Sequence, residues 1–300
     1  MFLRILFLLS LLTGGLCGQA IRNNSGFYQN QLERNDDGSS SAFQLGFRIN
    51  FFGRIQDTVF VNNNGNITFD AALPDYTPQR IVETGRVIIA PFWADVDTTG
   101  TRSSPVTYGR GVVNGRPAFA ATWRNVGYYL RKDDKLNSFQ VVLIDRSDTA
   151  AGNFDIEFNY ETIQWESGDV SGGGGGTGGY AARAGYSNGS TIQADANFEL
   201  PGSGLSRAFL DSNSNGLIRR RLNSDVPGRL VFEVRSGGVA TTLTIEPDGL
   251  LFTTDRPENK PAIQRINMST NQGSIRYNVT TATSTPSAAN WLFASPQSGQ

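Results

Sequence analysis

The chain has 300 residues, with 26 Lys and Arg against 27 Asp and Glu, no His and one Cys, Cys17. Without an imidazole or a second thiol there is no Ser-His-Asp triad, no Cys-His pair, no His metal ligand and no internal disulfide. A formal net charge of −1 supplies no field for a nucleic-acid backbone, so any chemistry falls to carboxylates, hydroxyls, Arg or a hard metal.

Residues 1–20 read as an export signal. Arg4 opens the segment, an apolar run follows over 5–12, and small residues close it at Thr13, Gly14, Gly15, Gly18 and Ala20. The run is too short to span a bilayer, which needs about 20 residues. Cleavage near Ala20 removes Cys17, and an exported chain without disulfides points to a bacterial source.

From residue 41 the pattern is β. Phe43, Leu45, Phe47, Ile49 and Phe51 alternate with other residues, the period of a half-buried strand. Asn64-Gly65, between Val59-Phe60-Val61 and Ile67-Thr68-Phe69, predicts a two-residue hairpin turn with positive φ at both positions. Further strands are expected at 86–90, 106–109, 118–126, 139–144, 154–160, 180–186 and 230–234, separated by Gly, Asn, Asp and Ser. No stretch carries a capped helical stripe, so the chain is predicted to be all-β, a sandwich or barrel. The low-complexity loop Gly168–Gly179, with its run Ser171-Gly172-Gly173-Gly174-Gly175-Gly176-Thr177-Gly178-Gly179, has no Lys and no helix after it. It fits no phosphate loop and reads as a flexible surface excursion. Composition shifts at Gly237-Gly238, after which a small Thr-rich β module follows.

Several segments, in order, resemble the nidogen-like extracellular (NIDO) domain. They are Phe60-Val61-Asn62-Asn63-Asn64-Gly65, Ile89-Ala90-Pro91-Phe92-Trp93-Ala94-Asp95-Val96-Asp97, Ala121-Thr122-Trp123-Arg124-Asn125-Val126 and Phe139-Gln140-Val141-Val142-Leu143-Ile144. Phe158-Asn159-Tyr160, Ile163-Gln164-Trp165, Ala184-Gly185-Tyr186-Ser187 and Leu200-Pro201-Gly202-Ser203-Gly204 continue the series. The likeness covers roughly 27–235. It implies an extracellular module linked to cell–matrix adhesion, with no established enzymatic activity. The C-terminal module resembles a BACON-type, Ig-like bacterial β-sandwich, through Leu243-Thr244-Ile245-Glu246-Pro247, Leu251-Phe252, Asn290-Trp291-Leu292 and Ser295-Pro296-Gln297-Ser298-Gly299. That family continues into strands beyond Gln300. The expected organisation is therefore a signal over 1–20, a NIDO-like β-sandwich over 21–237 and an Ig-like module over 238–300, incomplete as it stands.

Asp95 and Asp97 are the sharpest chemical feature. On one strand, i and i+2 share a face, and two carboxylates side by side suit calcium, which takes 6–8 oxygens. The alternative is that each caps a turn or pairs with an Arg such as Arg124. Asp211-Ser212-Asn213-Ser214-Asn215-Gly216 mimics an EF-hand opening, but its twelfth position is Leu222, so an Asx-rich turn is expected. Trp93, Trp123, Trp165 and Trp291 read as core with their N–H groups satisfied rather than as a sugar platform. Arg219-Arg220-Arg221 reads as a solvated edge. Glycosylation sequons stand at Asn23, Asn66, Asn188, Asn267 and Asn278.

The leading expectation is a secreted or surface-exposed adhesion protein that binds an extracellular protein or glycan through loops on a β scaffold. The Gly-rich loop and the Asp95–Asp97 region are the expected binding regions. One rival is a carboxylate-dependent glycoside hydrolase pairing Asp95 or Asp97 with Glu157, Glu161 or Glu166. Another is a spacer in a longer surface protein.

Overall fold

The computed structural model describes residues 19–192, 196–239, 243–247, 250, 252, 262–270, 277–281 and 293–299. The apolar run and Cys17 of the expected signal lie outside these residues, as do Leu251 and Asn290, Trp291 and Leu292. In chain order the strands are β1 (Asn30–Gln31), β2 (Phe43–Phe51), β3 (Arg54–Asn62), β4 (Asn66–Thr68), β5 (Val87–Trp93), β6 (Val96–Asp97), β7 (Thr107–Val113), β8 (Arg116–Tyr128), β9 (Lys132–Asp145) and β10 (Phe154–Thr162). Then come β11 (Arg183–Asn188), β12 (Asn197–Glu199), β13 (Arg221–Leu222), β14 (Arg229–Arg235), β15 (Gly238–Val239), β16 (Leu243–Glu246), β17 (Asn267–Thr270), β18 (Tyr277–Asn278) and β19 (Ser298–Gly299). Only short 3-10 turns accompany them among the described residues, so the protein is all-β.

Strands β1–β15 build two facing sheets. One runs β1-β7-β8-β9-β10-β14-β13, with β6 added on β8 and β15 on β14. The other runs β12-β11-β5-β4-β3-β2. The long meander β7-β8-β9-β10 follows from strands joined by tight turns, since antiparallel neighbours need only short connections. Alternation sends Phe119, Ala121 and Trp123, Phe139, Val141 and Leu143, and Ile156 and Phe158 of the first sheet inward. They meet Leu45, Ile49, Phe51, Val59, Val61, Ile67, Ile89 and Tyr186 of the second in one core. Trp123 stacks on Phe139 with ring centres 5.1 Å apart and planes 12° apart.

Both sheets are also covered outside. Phe27, on the 3-10 turn Ser25–Tyr28, packs on Ala118, Ala120, Val142 and Ile144 of the first sheet. Leu73 and Ile81 pack on Ile88, Ala90 and Trp93 of the second. This second cover explains why β5 is buried along its whole length, where a half-exposed strand would alternate. In the C-terminal part β15 pairs with β14, β16 with β17, and β18 with β19.

Candidate functional site

The site begins at the turn 62–65 that joins β3 to β4. Asn62 pairs with Asn66, leaving a three-residue loop in which Gly65 alone takes a positive φ, +79°. The expected two-residue turn needs positive φ at Asn64 as well, and Asn64 does not adopt it. Its side chain is used differently: Asn64 Oδ1 accepts from Val96 N at 2.9 Å, and Nδ2 donates to Asp37 Oδ1 at 2.8 Å and to Pro74 O at 3.3 Å. A Cβ on Gly65 would lie 1.8 Å from Phe92 O, so only glycine lets the turn sit against β5. Trp123 Nε1 donates to Asn63 O at 2.8 Å, which ties the turn to the opposite sheet.

This turn carries segment 35–37 onto the end of β5, where the Asp95–Asp97 pair is divided. The strand breaks between β5 and β6 at Ala94 and Asp95, so the two carboxylates do not sit on one uninterrupted strand face. Asp97 caps: its Oδ1 accepts from Thr99 N at 2.7 Å and its Oδ2 from Arg131 N at 2.8 Å. Asp95 instead joins Asp36 and Asp37. One oxygen from each of these three carboxylates lies within 4.8 Å of the others. Asp95 is 1% exposed, and its Oδ2, like Asp36 Oδ1, is sealed from water with no hydrogen-bond partner among the described residues. No ion pair of the described residues involves Asp36, Asp37 or Asp95. Burial first, then the neighbouring carboxylates Asp36, Asp37, Asp97 and Asp169, push the Asp95 carboxyl up to about 8. Burial and the Asp97 and Asp37 charges raise Asp36 to about 6. All donors are oxygen, the set that suits a hard cation.

The Gly-rich loop covers this cluster. A Cβ on Gly168 would meet Asp95 Oδ2 at 2.1 Å, so the backbone lies directly on the carboxylate. The loop is not the free excursion that its composition suggests. Gly173 N bonds Gly168 O at 3.1 Å, Tyr180 N bonds Ser171 O at 2.9 Å, and Lys135 Nζ bonds Gly175 O at 2.8 Å. Positive φ at Gly172, Gly175, Gly176, Gly178 and Gly179 folds it tightly. Tyr180–Ala182 closes the loop, so β11 starts at Arg183 rather than at Tyr180. Beside the loop, with Ser171 Oγ 2.9 Å from Thr77 Oγ1, lies an open depression of about 560 Å³. Its lining includes Asp75, Tyr76, Gln79, Arg80, Glu83 and Tyr180. Tyr76 and Tyr180 are 37% and 64% exposed.

The acids of the hydrolase alternative are held elsewhere. Glu157 is buried on the outer face of β10, with Arg22 Nε and Nη2 donating to its two oxygens at 2.6 and 2.8 Å; Arg229 Nε stands 3.4 Å away as an ion-pair partner while donating to Asn159 Oδ1 at 3.0 Å. Glu161 accepts from Ile21 N at 3.2 Å and faces Arg124 at 3.6 Å. Glu166 takes the backbone N–H of Arg207 at 2.7 Å. Trp93, Trp123 and Trp165 are core residues, and their N–H groups donate to Asp75 O, Asn63 O and Val126 O. Asp211 forms a turn, accepting from Ile163 N at 2.9 Å. Arg220 lies over the Phe209 ring at 5.4 Å and Arg221 is exposed on the edge strand β13. Of the sequons, Asn66 and Asn188 are buried and closed to a glycan, whereas Asn23, Asn267 and Asn278 are exposed.

A family model described as the nidogen-like domain matches residues 57–236, more than half of the chain. The chain belongs to the nidogen-like domain family. The matched span contains Asp95 and the Gly-rich loop but not Asp36 and Asp37. Alpha-tectorin of Mus musculus is 34% identical over 235 residues, which cover 69% of this chain and 10% of that protein. Nidogen of Drosophila melanogaster is 31% identical over 223 residues, 66% of this chain and 15% of that protein. This nidogen-like chain thus spans about a tenth of the alpha-tectorins and under a sixth of the fly nidogen. No solved structure matches it.

Asp36 and Asp37 are the site residues that the sequence reading missed. Their one signal is the run Asn35-Asp36-Asp37-Gly38, an acidic doublet in a turn. Nothing in its spacing links it to Asp95.

Proposed function

We propose that this is an extracellular adhesion module that docks a matrix partner through the loop end formed by residues 74–80 and 168–180. Its family gives it an extracellular, matrix-associated adhesion or structural role. The observation that carries the docking face is the exposed pair Tyr76 and Tyr180 beside a polar depression, on a sandwich whose largest aromatics, Trp93, Trp123 and Trp165, are fully buried. Tyr is enriched at such contacts because it offers a large apolar body with a polar tip. In this reading residues 1–20 serve as the export signal, and the part of the chain after β15, which itself joins the first sheet, spaces or docks the module.

The test is surface binding of the purified chain to a panel of immobilised matrix proteins and to a glycan array. The docking reading expects at least one partner, lost in the Tyr76→Ala, Tyr180→Ala double variant at an unchanged melting temperature. Binding to none assigns the chain a spacer role, and binding unaffected by the double variant moves the docking face elsewhere.

A further inference from the structure

We propose that Asp36, Asp37 and Asp95 together bind a calcium ion. The inference does not rest on the docking reading, since it concerns the isolated chain. Calcium holds its oxygens at about 2.3–2.6 Å, so two ligands on opposite sides of one ion stand about 5 Å apart. Oxygens from the three carboxylates within 4.8 Å of one another fit such a shell.

The second observation is independent of the count of acids. Asp95 Oδ2 and Asp36 Oδ1 are sealed from water and receive no hydrogen bond among the described residues. A buried carboxylate oxygen is ordinarily satisfied by a donor or a cation. The loop that covers Asp95 approaches it with the Cα of Gly168, giving close cover without adding a donor. The nearby cation Lys132 is committed to Asp169.

The surroundings fix the three acids before any ion arrives. Asn64 Nδ2 holds Asp37 at 2.8 Å, and the same side chain accepts from Val96 N, the residue after Asp95. Asn63 Nδ2 donates to Asp36 O. One buried turn therefore sets the spacing of segment 36–37 against residue 95. Asp97, the other half of the sequence pair, anchors the following turn through Thr99 and Arg131 and is not a ligand. With only oxygens present, and with geometry set by loops rather than by an octahedral cage, the site favours calcium over magnesium.

The experiment is isothermal titration of calcium chloride into the chelator-stripped full chain at pH 7.5, with melting curves in calcium and in EGTA. The expected result is one calcium per chain and a higher melting temperature in calcium. Removing even a residue that only supports a ligand costs about 10–100-fold in metal affinity, so Asp37→Asn and Asp95→Asn should each weaken binding by about tenfold or more. Asp148→Asn, a substitution at a surface ion pair, should leave binding unchanged. If Asp95→Asn does not fold, Asp37→Asn decides. Absence of both heat and melting shift overturns the site, as does wild-type affinity in Asp37→Asn or an equal response to magnesium.

Discussion

Two buried carboxylates in this molecule face opposite circumstances. Glu157, on the outer face of the first sheet, is 1% exposed, like Asp95 at the loop end of the sandwich. Glu157 is enclosed by cations and donors: Arg22 and Arg229, with Asn159 Nδ2 at 2.7 Å. The network extends through Gln140, whose Oε1 accepts from Arg22 N at 3.0 Å, and Arg229 Nη2 donates to Ala20 O at 2.6 Å. Asp95 is enclosed by other acids. The first arrangement is complete and serves the fold, stitching segment 19–24 to the sheet. The second is electrostatically incomplete, the arrangement on which the proposed calcium site rests. Burial alone does not distinguish structure from site; the sign of the neighbours does.

Four perturbations would break or sharpen this contrast. The largest effect is expected from Glu157→Gln, which leaves Arg22 and Arg229 partly buried without their counter-charge. Breaking a buried pair from one side costs about 3–5 kcal/mol, and urea unfolding should show that loss. Next is Gly168→Ala, whose Cβ has no room above Asp95 Oδ2. Overpacking of this kind costs about 1–3 kcal/mol, measurable by calorimetry, and should also weaken calcium binding. Asp95→Asn should do the reverse of Glu157→Gln. In EGTA it removes the cost of burying an ionisable group among acids and raises the melting temperature by about 2–4 °C, the shift that ~1 kcal/mol produces in a domain of this size. A large loss of stability instead would place Asp95 with Glu157 as a fold residue.

The smallest effect is a slope. The Asp95 carboxyl titrates at about 8 in the folded chain, against an ordinary value of 3.8. The folded state therefore holds the extra proton between those values. In chelator, the stabilising contribution is full below about pH 4 and is lost as pH rises towards 8. The groups that face it, Asp36, Asp37, Asp97 and Asp169, all act in the same direction. Melting curves from pH 5 to 8 in EGTA should fall for the wild type and fall less for Asp95→Asn.

The β architecture was legible because it rests on local periodicity. The alternation from Phe43 to Phe51 and the apolar runs around Trp123, Phe139 and Phe158 are each short-range signals, and each became a strand. The three tryptophans within the first module were readable as core for the same reason. The divided Asp95–Asp97 pair was not legible. Its same-face argument assumes an unbroken strand, and the strand breaks at Ala94 and Asp95, where Val96 N turns to the Asn64 side chain. Asp36 and Asp37 join the cluster through Asn63 and Asn64, a tertiary contact that carries no period. The Gly-rich loop misleads in another way. Composition reports the conformations that glycine permits, and here five left-handed glycines are spent on a closed loop packed over Asp95 and Trp165 rather than on freedom of movement. Glu157 looked available for catalysis because the Arg22 that neutralises it lies 135 residues away in sequence.

The strap at residues 19–24 has a mechanical consequence. It is fastened beside Glu157 and Arg229, at one end of β14, whereas past Arg235, at the other, the chain turns back into β15. Tension applied between those two points runs lengthwise through the β10–β14 ladder, from Asn159 paired with Arg229 to Phe154 paired with Val234. Its rungs share the force and must yield together, instead of parting one after another as in a peeled hairpin.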